Sequence, residues 1–285
     1  MKTYRFTLTL IPQNEASLPN FLGEAIRAAF LKVLQLYNPE LSEYLHRGNE
    51  IREYAIGPVF NGRRKFHGQY GRKRDNKITV SPSTPLKVPI TLVGEELATS
   101  FVQGVLNLES AILTLFKNKM MISEIKFEAQ PVLDFVKGDN LPTPSKINLH
   151  FLSPTQFSSR GSKYPILFPI VTFLFGNAVT LWNSLIPDLK MDRDNLYQFV
   201  SANIYVRAHR LYTREVALLK KYTFTGFEGW TQLIVVNPSD EFASYILPLL
   251  KLCELLNIGK ERSIGLGCLK VSIPQLEKGE KLHVQ

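Results

Sequence analysis

A connection between a helix and a closing strand is predicted for the stretch Asn257-Ile258-Gly259-Lys260-Glu261-Arg262-Ser263-Ile264-Gly265-Leu266-Gly267-Cys268-Leu269-Lys270-Val271. Its three glycines allow positive φ and a close approach of the backbone to a partner. Backbone N–H groups with Lys260 and Arg262 could then hold a phosphate. A glycine-terminated helix followed by a tight turn explains the same pattern equally well. The stretch matches neither a Walker A loop nor a dinucleotide-binding fingerprint.

On both sides of a turn-rich linker, Lys137 to Ser145, the chain repeats one order of elements. Periodicity predicts, in the first half, strands at 3–11, 53–60, 77–93 and 121–134 and helices at 19–37 and 95–117; in the second half, strands at 146–153, 198–219, 222–237 and 268–273 and helices at 165–186 and 240–256. Each half therefore has the order βαββαβ. We predict an α+β protein of two ferredoxin-like, RRM-like domains, 1–138 and 146–285.

The overall charge of the chain favours a polyanionic partner. Its 285 residues include 45% hydrophobic residues, enough for buried cores, and carry a formal net charge of +9. The isoelectric point is about 9.4. Such a balance suits nucleic acid or an acidic membrane surface and does not choose between them.

Several classes of protein are disfavoured by the sequence. Cys253 and Cys268 are the two cysteines, and the histidines are scattered, so neither a disulfide framework nor a metal site is expected. No cofactor motif is present, and no cofactor is expected. The alternating N-terminus lacks a secretory pattern, which predicts a cytoplasmic protein. Residues 164–186 carry no charge, but their helical spacing with a polar side predicts a buried helix and no membrane span.

Two basic segments are candidates for binding nucleic acid. The first interleaves the aromatic residues Phe66 and Tyr70 with Arg63, Arg64, Lys65, Arg72, Lys73 and Arg74. The second, on a predicted strand, contains Arg207, His209, Arg210 and Arg214. Guanidinium groups pair with phosphates and rings stack on unpaired bases, which favours RNA. A solvated hairpin loop and a polar outer sheet face remain the alternatives.

His46 is the residue best suited to acid–base chemistry. It lies in the segment Asn38 to Gly48, which follows the first predicted helix. An accessible imidazole titrates near neutral pH and can act as a general acid or base. On its own, an exposed loop histidine without a function is the simpler interpretation.

Three segments together resemble the CRISPR-associated repeat-processing endoribonucleases, the stand-alone crRNA-maturation family of the RAMP superfamily. The first is NPELSEYLH, which ends at His46 and leads on to Tyr54; the second is Thr225 to Trp230, TGFEGW; the third is the glycine-rich loop Gly259 to Gly267. With the repeated βαββαβ order, the resemblance covers nearly the whole chain.

The resemblance implies an endoribonuclease that cuts precursor crRNA without a metal. The ribose 2′-OH would attack the adjacent phosphorus and leave a 2′,3′-cyclic phosphate and a 5′-OH. His46 matches the histidine of the family, and Arg52 stands at the position of its lysine. Leu31 occupies the position of the tyrosine, so Tyr37 is the candidate replacement, with Tyr44 also nearby.

The resemblance also implies the partners and the binding residues. Repeat RNA would contact the basic segments and the residues Gly259, Lys260, Arg262, Gly265 and Gly267. A CRISPR effector complex is a further expected partner, and the protein is either a monomer or a homodimer. The main alternative is a non-catalytic RAMP subunit that binds crRNA. A general RNA-binding domain is disfavoured because no RNP1-like sequence is present.

Overall fold

The computed structural model describes residues 2–47, 51–62, 64–66, 77–131, 143–159, 161–218 and 222–274. Six α-helices are described: α1 (Gly23–Gln35), α2 (Pro39–Arg47), α3 (Glu95–Leu106), α4 (Val171–Leu185), α5 (Arg193–Asn203) and α6 (Ile246–Leu256). The strands of the first half are β1 (Lys2–Pro12), β2 (Ala16–Pro19), β3 (Tyr54–Ile56), β4 (Val59–Asn61), β5 (Arg64–Phe66), β6 (Lys77–Val80), β7 (Leu86–Val93), β8 (Ile112–Leu115) and β9 (Asn118–Pro131). Those of the second half are β10 (Lys146–Thr155), β11 (Phe157–Ser158), β12 (Pro165–Ile166), β13 (Ile204–Ala217), β14 (Thr223–Val235) and β15 (Leu269–Ser272).

Two compact units divide the chain, and the first takes two short segments from the second half. It comprises Met1–Val132, Glu215–Phe224 and Glu261–Leu266. The second comprises Leu133–Arg214, Thr225–Lys260 and Gly267–Gln285. The division into contiguous domains 1–138 and 146–285 stays a prediction of the sequence.

The first unit has a ferredoxin-like sheet with the strand order β5-β4-β7-β1-β9-β8, and β3 also pairs with β7. Alternate residues of β1 and β7 face the helices, and Phe6, Leu8, Val88 and Ile90 are buried there. Helices α1 and α3 complete the βαββαβ order and cover this face with Phe30 and Phe101, among other residues. The burial of one face of an alternating strand explains why the sequence pattern located these strands.

The second unit has a four-stranded sheet with the order β13-β14-β10-β15. Strand β10 therefore lies between β14 and β15, as the first strand of a ferredoxin-like unit does. Helices α4 and α6 supply buried residues such as Leu174, Trp182, Leu249 and Leu250. The predicted α+β fold of tandem ferredoxin-like repeats is confirmed. Within the part of the chain that the structure describes, no helix is both long and apolar enough to cross a membrane.

Element assignments from the sequence are wrong in several places, two of which concern residues 198–203 and 112–115. Residues 198–203, predicted as strand, end helix α5, which Asp192 caps by accepting hydrogen bonds from the N–H groups of Asp194 and Asn195. Residues 112–115, predicted as helix, form β8 and pair with β9. In the first case a local cap was overlooked. In the second, cross-strand pairing overrides the helical spacing.

Candidate functional site

His46 lies in the last turn of helix α2 and not in a loop, which corrects the sequence interpretation. The Asn38-Pro39 pair explains where this helix begins, because the Asn38 side-chain oxygen accepts a hydrogen bond from the Leu41 N–H at 3.0 Å. The Ser42 hydroxyl donates to the carbonyl oxygen of Leu31 at 2.8 Å and ties α2 to α1. The His46 side chain is exposed on this anchored helix, so it is accessible to a ligand.

Arg52 joins the end of helix α2 to the glycine-rich segment within the first unit. Its Nε donates to the carbonyl oxygen of Leu45 at 3.3 Å, one peptide group from His46. Its Nη1 donates to the Ser263 hydroxyl at 2.8 Å. The two predicted catalytic residues are thus brought to the same end of one helix. The planar Arg52 guanidinium donates to both the Leu45 carbonyl oxygen and the Ser263 hydroxyl, a fork of two hydrogen bonds that an ammonium group cannot make with the same geometry.

Two further arginines surround Arg52. Arg262 donates to the backbone carbonyl oxygen of Arg52 and, at 3.4 Å, to that of Tyr54. Arg27, on α1, donates from Nε to the hydroxyl of Tyr54 at 3.0 Å. Tyr54 itself is fully buried. Arg27, Arg52 and Arg262 form a cluster of three half-buried guanidinium groups, which we call the arginine cluster.

The arginine cluster concentrates positive charge. Burial lowers the pKa of Arg52, and the charge of Arg27 lowers it further, whereas Tyr54 and Glu261 act in the opposite direction. Arginine nevertheless stays protonated at neutral pH. Because like charges repel at this position, an anion bound beside Arg27 and Arg52 would relieve the repulsion. The cluster is therefore suited to a phosphate group.

Replacing Arg52 with lysine separates its charge from its geometry. Arg52→Lys keeps the positive charge but loses part of the fork to Leu45 and Ser263. At about 1.5–3 kcal/mol for a lost hydrogen bond to a charged group, we expect the melting temperature to fall by about 3–12 °C. Scanning calorimetry measures it, with Arg5→Lys on an exposed position of β1 as control. Equal melting temperatures for the two variants would show that the fork does not hold this site together.

The structure does not bring Tyr37 to the other predicted catalytic residues. Its side chain is 51% exposed after the end of α1 and makes no hydrogen bond to His46 or Arg52 among the described residues. Leu31, at the position of the family's tyrosine, is 8% exposed and belongs to the apolar core. Arg27, which the sequence analysis did not single out, lies one turn before Leu31. The i, i−4 spacing on α1 is the signal that could have found it.

The glycines of the loop allow close packing against the protein's own backbone. Gly259, Gly265 and Gly267 have φ values of 79°, 89° and 69°. A Cβ on Gly267 would overlap the carbonyl oxygen of Ile258, and one on Gly259 would lie 2.5 Å from that of Gln156. Both contacts lie within the second unit. Close approach, rather than an open phosphate cradle, therefore explains Gly259 and Gly267.

Backbone N–H groups of the loop are already used within each unit. In the second unit, Lys260 donates to Gln156 at 3.1 Å, and Gly267 donates to Pro154 at 3.0 Å. In the first unit, Gly265 donates to Arg262 at 3.3 Å. These N–H groups are therefore already engaged, whereas the side chain of Lys260 is exposed.

The predicted RNA-binding arginines of the second unit lie on strand β13. Arg207 and Arg210 are both exposed, and their odd separation directs them to opposite faces of the strand. The Arg210 Nε donates to the Tyr212 hydroxyl at 2.5 Å, and its guanidinium lies 5.8 Å from the centre of that ring. In the first basic segment, Arg64 and Lys65 belong to β5, and Arg63, Arg72, Lys73 and Arg74 lie outside the described residues.

Comparison with known proteins gives a match to one family over part of the chain and a fold for nearly all of it. Residues 149–269 match the sequence model of the family described as CRISPR-associated endoribonuclease Cas6. No curated protein sequence matches the chain significantly. The product complex of a Cas6 from Thermus thermophilus superposes with a TM-score of 0.76 at 18% identity, covering 95% of this chain and 99% of that chain. For a Cas6-related protein from Pyrococcus furiosus the TM-score is 0.63 at 12% identity, with 96% and 100% covered.

A third structure, described as a RAMP protein that binds different RNA substrates, has a TM-score of 0.59 at 13% identity and covers 95% of this chain and 100% of that chain. At these identities the structural matches establish the fold alone. The resemblance predicted from the sequence is nevertheless confirmed: the Cas6 family's sequence model matches residues 149–269, and a Cas6 structure superposes on 95% of this chain.

Proposed function

We propose that this protein binds CRISPR repeat RNA and cuts it as an endoribonuclease that needs no metal. The observation that carries the proposal is the exposed His46 at the end of helix α2, where Arg52 donates to the preceding carbonyl oxygen. The match to the Cas6 family supports the same activity. Similar structures include a Cas6 product complex and a Cas6 substrate-mimic complex, which supports an RNA substrate here.

In the proposed reaction, the 2′-oxygen of the ribose attacks the adjacent phosphorus. The O2′–P bond forms, the P–O5′ bond breaks, and the products carry a 2′,3′-cyclic phosphate and a 5′-OH. His46 accepts the 2′-OH proton or donates a proton to the leaving 5′-oxygen. Arg52 and Arg27 stabilise the extra negative charge on the pentacoordinate phosphorus, because fixed positive groups act most strongly where charge develops. Tyr37 stays a sequence-based candidate for the second proton transfer.

Affinity for the RNA would come from exposed basic side chains. Lys260, Arg207 and Arg210 are exposed and carry the charge that phosphates attract. Arg262 is half-buried and donates to two carbonyl oxygens, so it also holds the glycine-rich segment in place. We propose that Gly259, Gly265 and Gly267 act by shaping this loop, and that Arg63, Arg64, Lys65, Arg72, Lys73 and Arg74 add positive charge that attracts the RNA.

A non-catalytic crRNA-binding subunit is the second candidate. Two observations favour it: Leu31 is buried at the position of the family's tyrosine, and the exposed Tyr37 makes no hydrogen bond to His46 among the described residues. A subunit of this kind would keep the fold and the basic surface and would lack cleavage. The two candidates therefore differ in one observable, the cutting of RNA.

Cleavage of end-labelled repeat RNA in EDTA tests the proposal. We expect a single cut, a product with a 2′,3′-cyclic phosphate, and no cut when the scissile nucleotide is 2′-deoxy. Tight binding of the intact repeat without cleavage, with or without added Mg²⁺, would instead favour the non-catalytic subunit. Cleavage of the 2′-deoxy substrate would exclude attack by the 2′-OH.

A further inference from the structure

The sheet of the second unit carries a row of aromatic and basic side chains that crosses its two central strands, β14 and β10, and its edge strand β15. His150 is the cross-strand partner of Trp230 on one side and of Lys270 on the other. The neighbouring positions Leu149, Phe151 and Val271, which point to the opposite face, are buried. His150 and Trp230 are half-buried and Lys270 is exposed, so the row lies on the face away from the apolar core.

Strand β13 runs along β14 at Gly229, the residue before Trp230, and carries the basic residue Arg210. A Cβ on Gly229, which has a φ of 124°, would overlap the carbonyl oxygen of Arg210, so the two backbones are in close contact there. The Thr231 hydroxyl also donates to the carbonyl oxygen of Ala208 at 3.2 Å. Arg210 and Tyr212 are exposed on this strand. Glu228, the acidic residue nearest to Trp230 in sequence, forms an ion pair with Arg214 at 3.4 Å.

This arrangement has the elements of a base-stacking site. A four-stranded sheet with aromatic rings on its two central strands stacks unpaired bases, while basic residues at the sides contact the phosphates. Here the central strands are β14 and β10, which supply Trp230 and His150. An RNP1-like sequence is absent. The strand register nevertheless places aromatic rings on the two central strands, as in sheets that stack RNA bases.

We propose that Trp230 and His150 form a stacking platform for unpaired nucleotides of a single-stranded RNA segment, with Lys270 and Arg210 on its phosphates. The proposal rests on the proposed function in its choice of RNA over another polyanion. It goes beyond that function because the platform lies in the second unit, whereas His46 and the arginine cluster belong to the first. A protein that cuts inside a repeat would use such a platform to hold unpaired sequence apart from the bond that it cleaves.

The chain contains two tryptophans, which makes the platform directly observable. Trp182 is 1% exposed, and its indole N–H donates to the carbonyl oxygen of Leu189 at 2.7 Å. Trp230 is the more accessible of the two. Trp182→Phe therefore leaves Trp230 as the reporter, and Trp230→Phe leaves a buried reporter that a stacked base cannot reach.

The experiment is a fluorescence titration with a single-stranded 2′-O-methyl RNA, which cannot be cut by 2′-OH attack. We expect emission from Trp182→Phe to be quenched at saturation and emission from Trp230→Phe to be unchanged. Trp230→Ala should bind the same RNA about 5- to 150-fold more weakly than wild type, the range for loss of one stacked base. Tyr164→Ala, at a residue 83% exposed in the same unit, should bind like wild type. Melting curves show whether each variant is folded. Trp230→Phe keeps an aromatic ring, so its affinity shows whether the loss in Trp230→Ala comes from lost stacking.

Unchanged Trp230 emission at saturating RNA overturns the platform, even where the repeat is still cut. Equal quenching and affinity with a fully paired duplex also overturns it, because paired bases cannot stack on a side chain. Quenching by single-stranded RNA in a protein that never cuts its repeat supports the platform and removes the proposed cleavage. Failure of the platform and failure of the proposed function therefore give different results.

Discussion

Replacing His46 with alanine is expected to slow cleavage of repeat RNA by about 10²–10⁴-fold, the usual loss when a general acid or base is removed. Affinity for the uncut repeat should stay within about threefold of wild type. The reason is local: His46 is exposed in the last turn of α2, and its imidazole makes no hydrogen bond within the described part of the chain. Alanine also suits a helix, so the melting temperature should not fall.

Single-turnover cleavage under saturating enzyme measures this effect without a contribution from product release. Glu43→Ala is the matched control, because Glu43 lies one turn earlier on the same helix, is exposed, and pairs with Arg47 rather than with Arg52. We expect this variant to cut at nearly the wild-type rate. A rate for His46→Ala within a few-fold of wild type would move the acid–base group elsewhere, while the cleavage activity itself would stand.

The repeated fold could be predicted from the sequence because its strands bury one face and expose the other. The errors arose where local pattern and tertiary pairing disagree. In α5, Leu196, Phe199 and Val200 are buried at helical spacing, a signal hidden by the following strand. In the β8–β9 hairpin, Phe116 and Lys117 take φ values of 48° and 70° without glycine, so the turn carried no recognisable residue.

The sequence predicted several residues of the candidate site, but it did not predict the contacts between them. His46 and Arg52 are close in sequence, whereas the hydrogen bond from Arg52 to Ser263 joins positions 211 residues apart. The periodicity of a sequence does not predict a hydrogen bond between residues so far apart in the chain. Tyr54 fell within the strand predicted at 53–60, and only the structure shows that its hydroxyl accepts a hydrogen bond from Arg27. The glycine-rich loop was equally consistent with phosphate binding and with close packing until its neighbours were known.

Replacing Gly267 with alanine is expected to destabilise the protein by about 2–5 kcal/mol. The φ of 69° costs an alanine about 1–2 kcal/mol. The added Cβ would also overlap the carbonyl oxygen of Ile258, and relieving such overpacking costs a further 1–3 kcal/mol, roughly. The same displacement would lengthen the 2.8 Å hydrogen bond from the Ile258 N–H to the Gly267 carbonyl oxygen. At about 2–4 °C per kcal/mol, the melting temperature should fall by ~4–20 °C.

Gly161→Ala separates the two causes of this loss. Gly161 has a similar φ of 82°, but a Cβ there has nothing within 4 Å. The backbone cost of about 1–2 kcal/mol alone should appear, so its melting temperature should fall by about 2–8 °C. Equal losses in the two variants would mean that backbone conformation, and not the contact with Ile258, requires glycine at 267. A much larger fall in the melting temperature of Gly267→Ala would mean that the second unit needs glycine at this position for its close contact with Ile258.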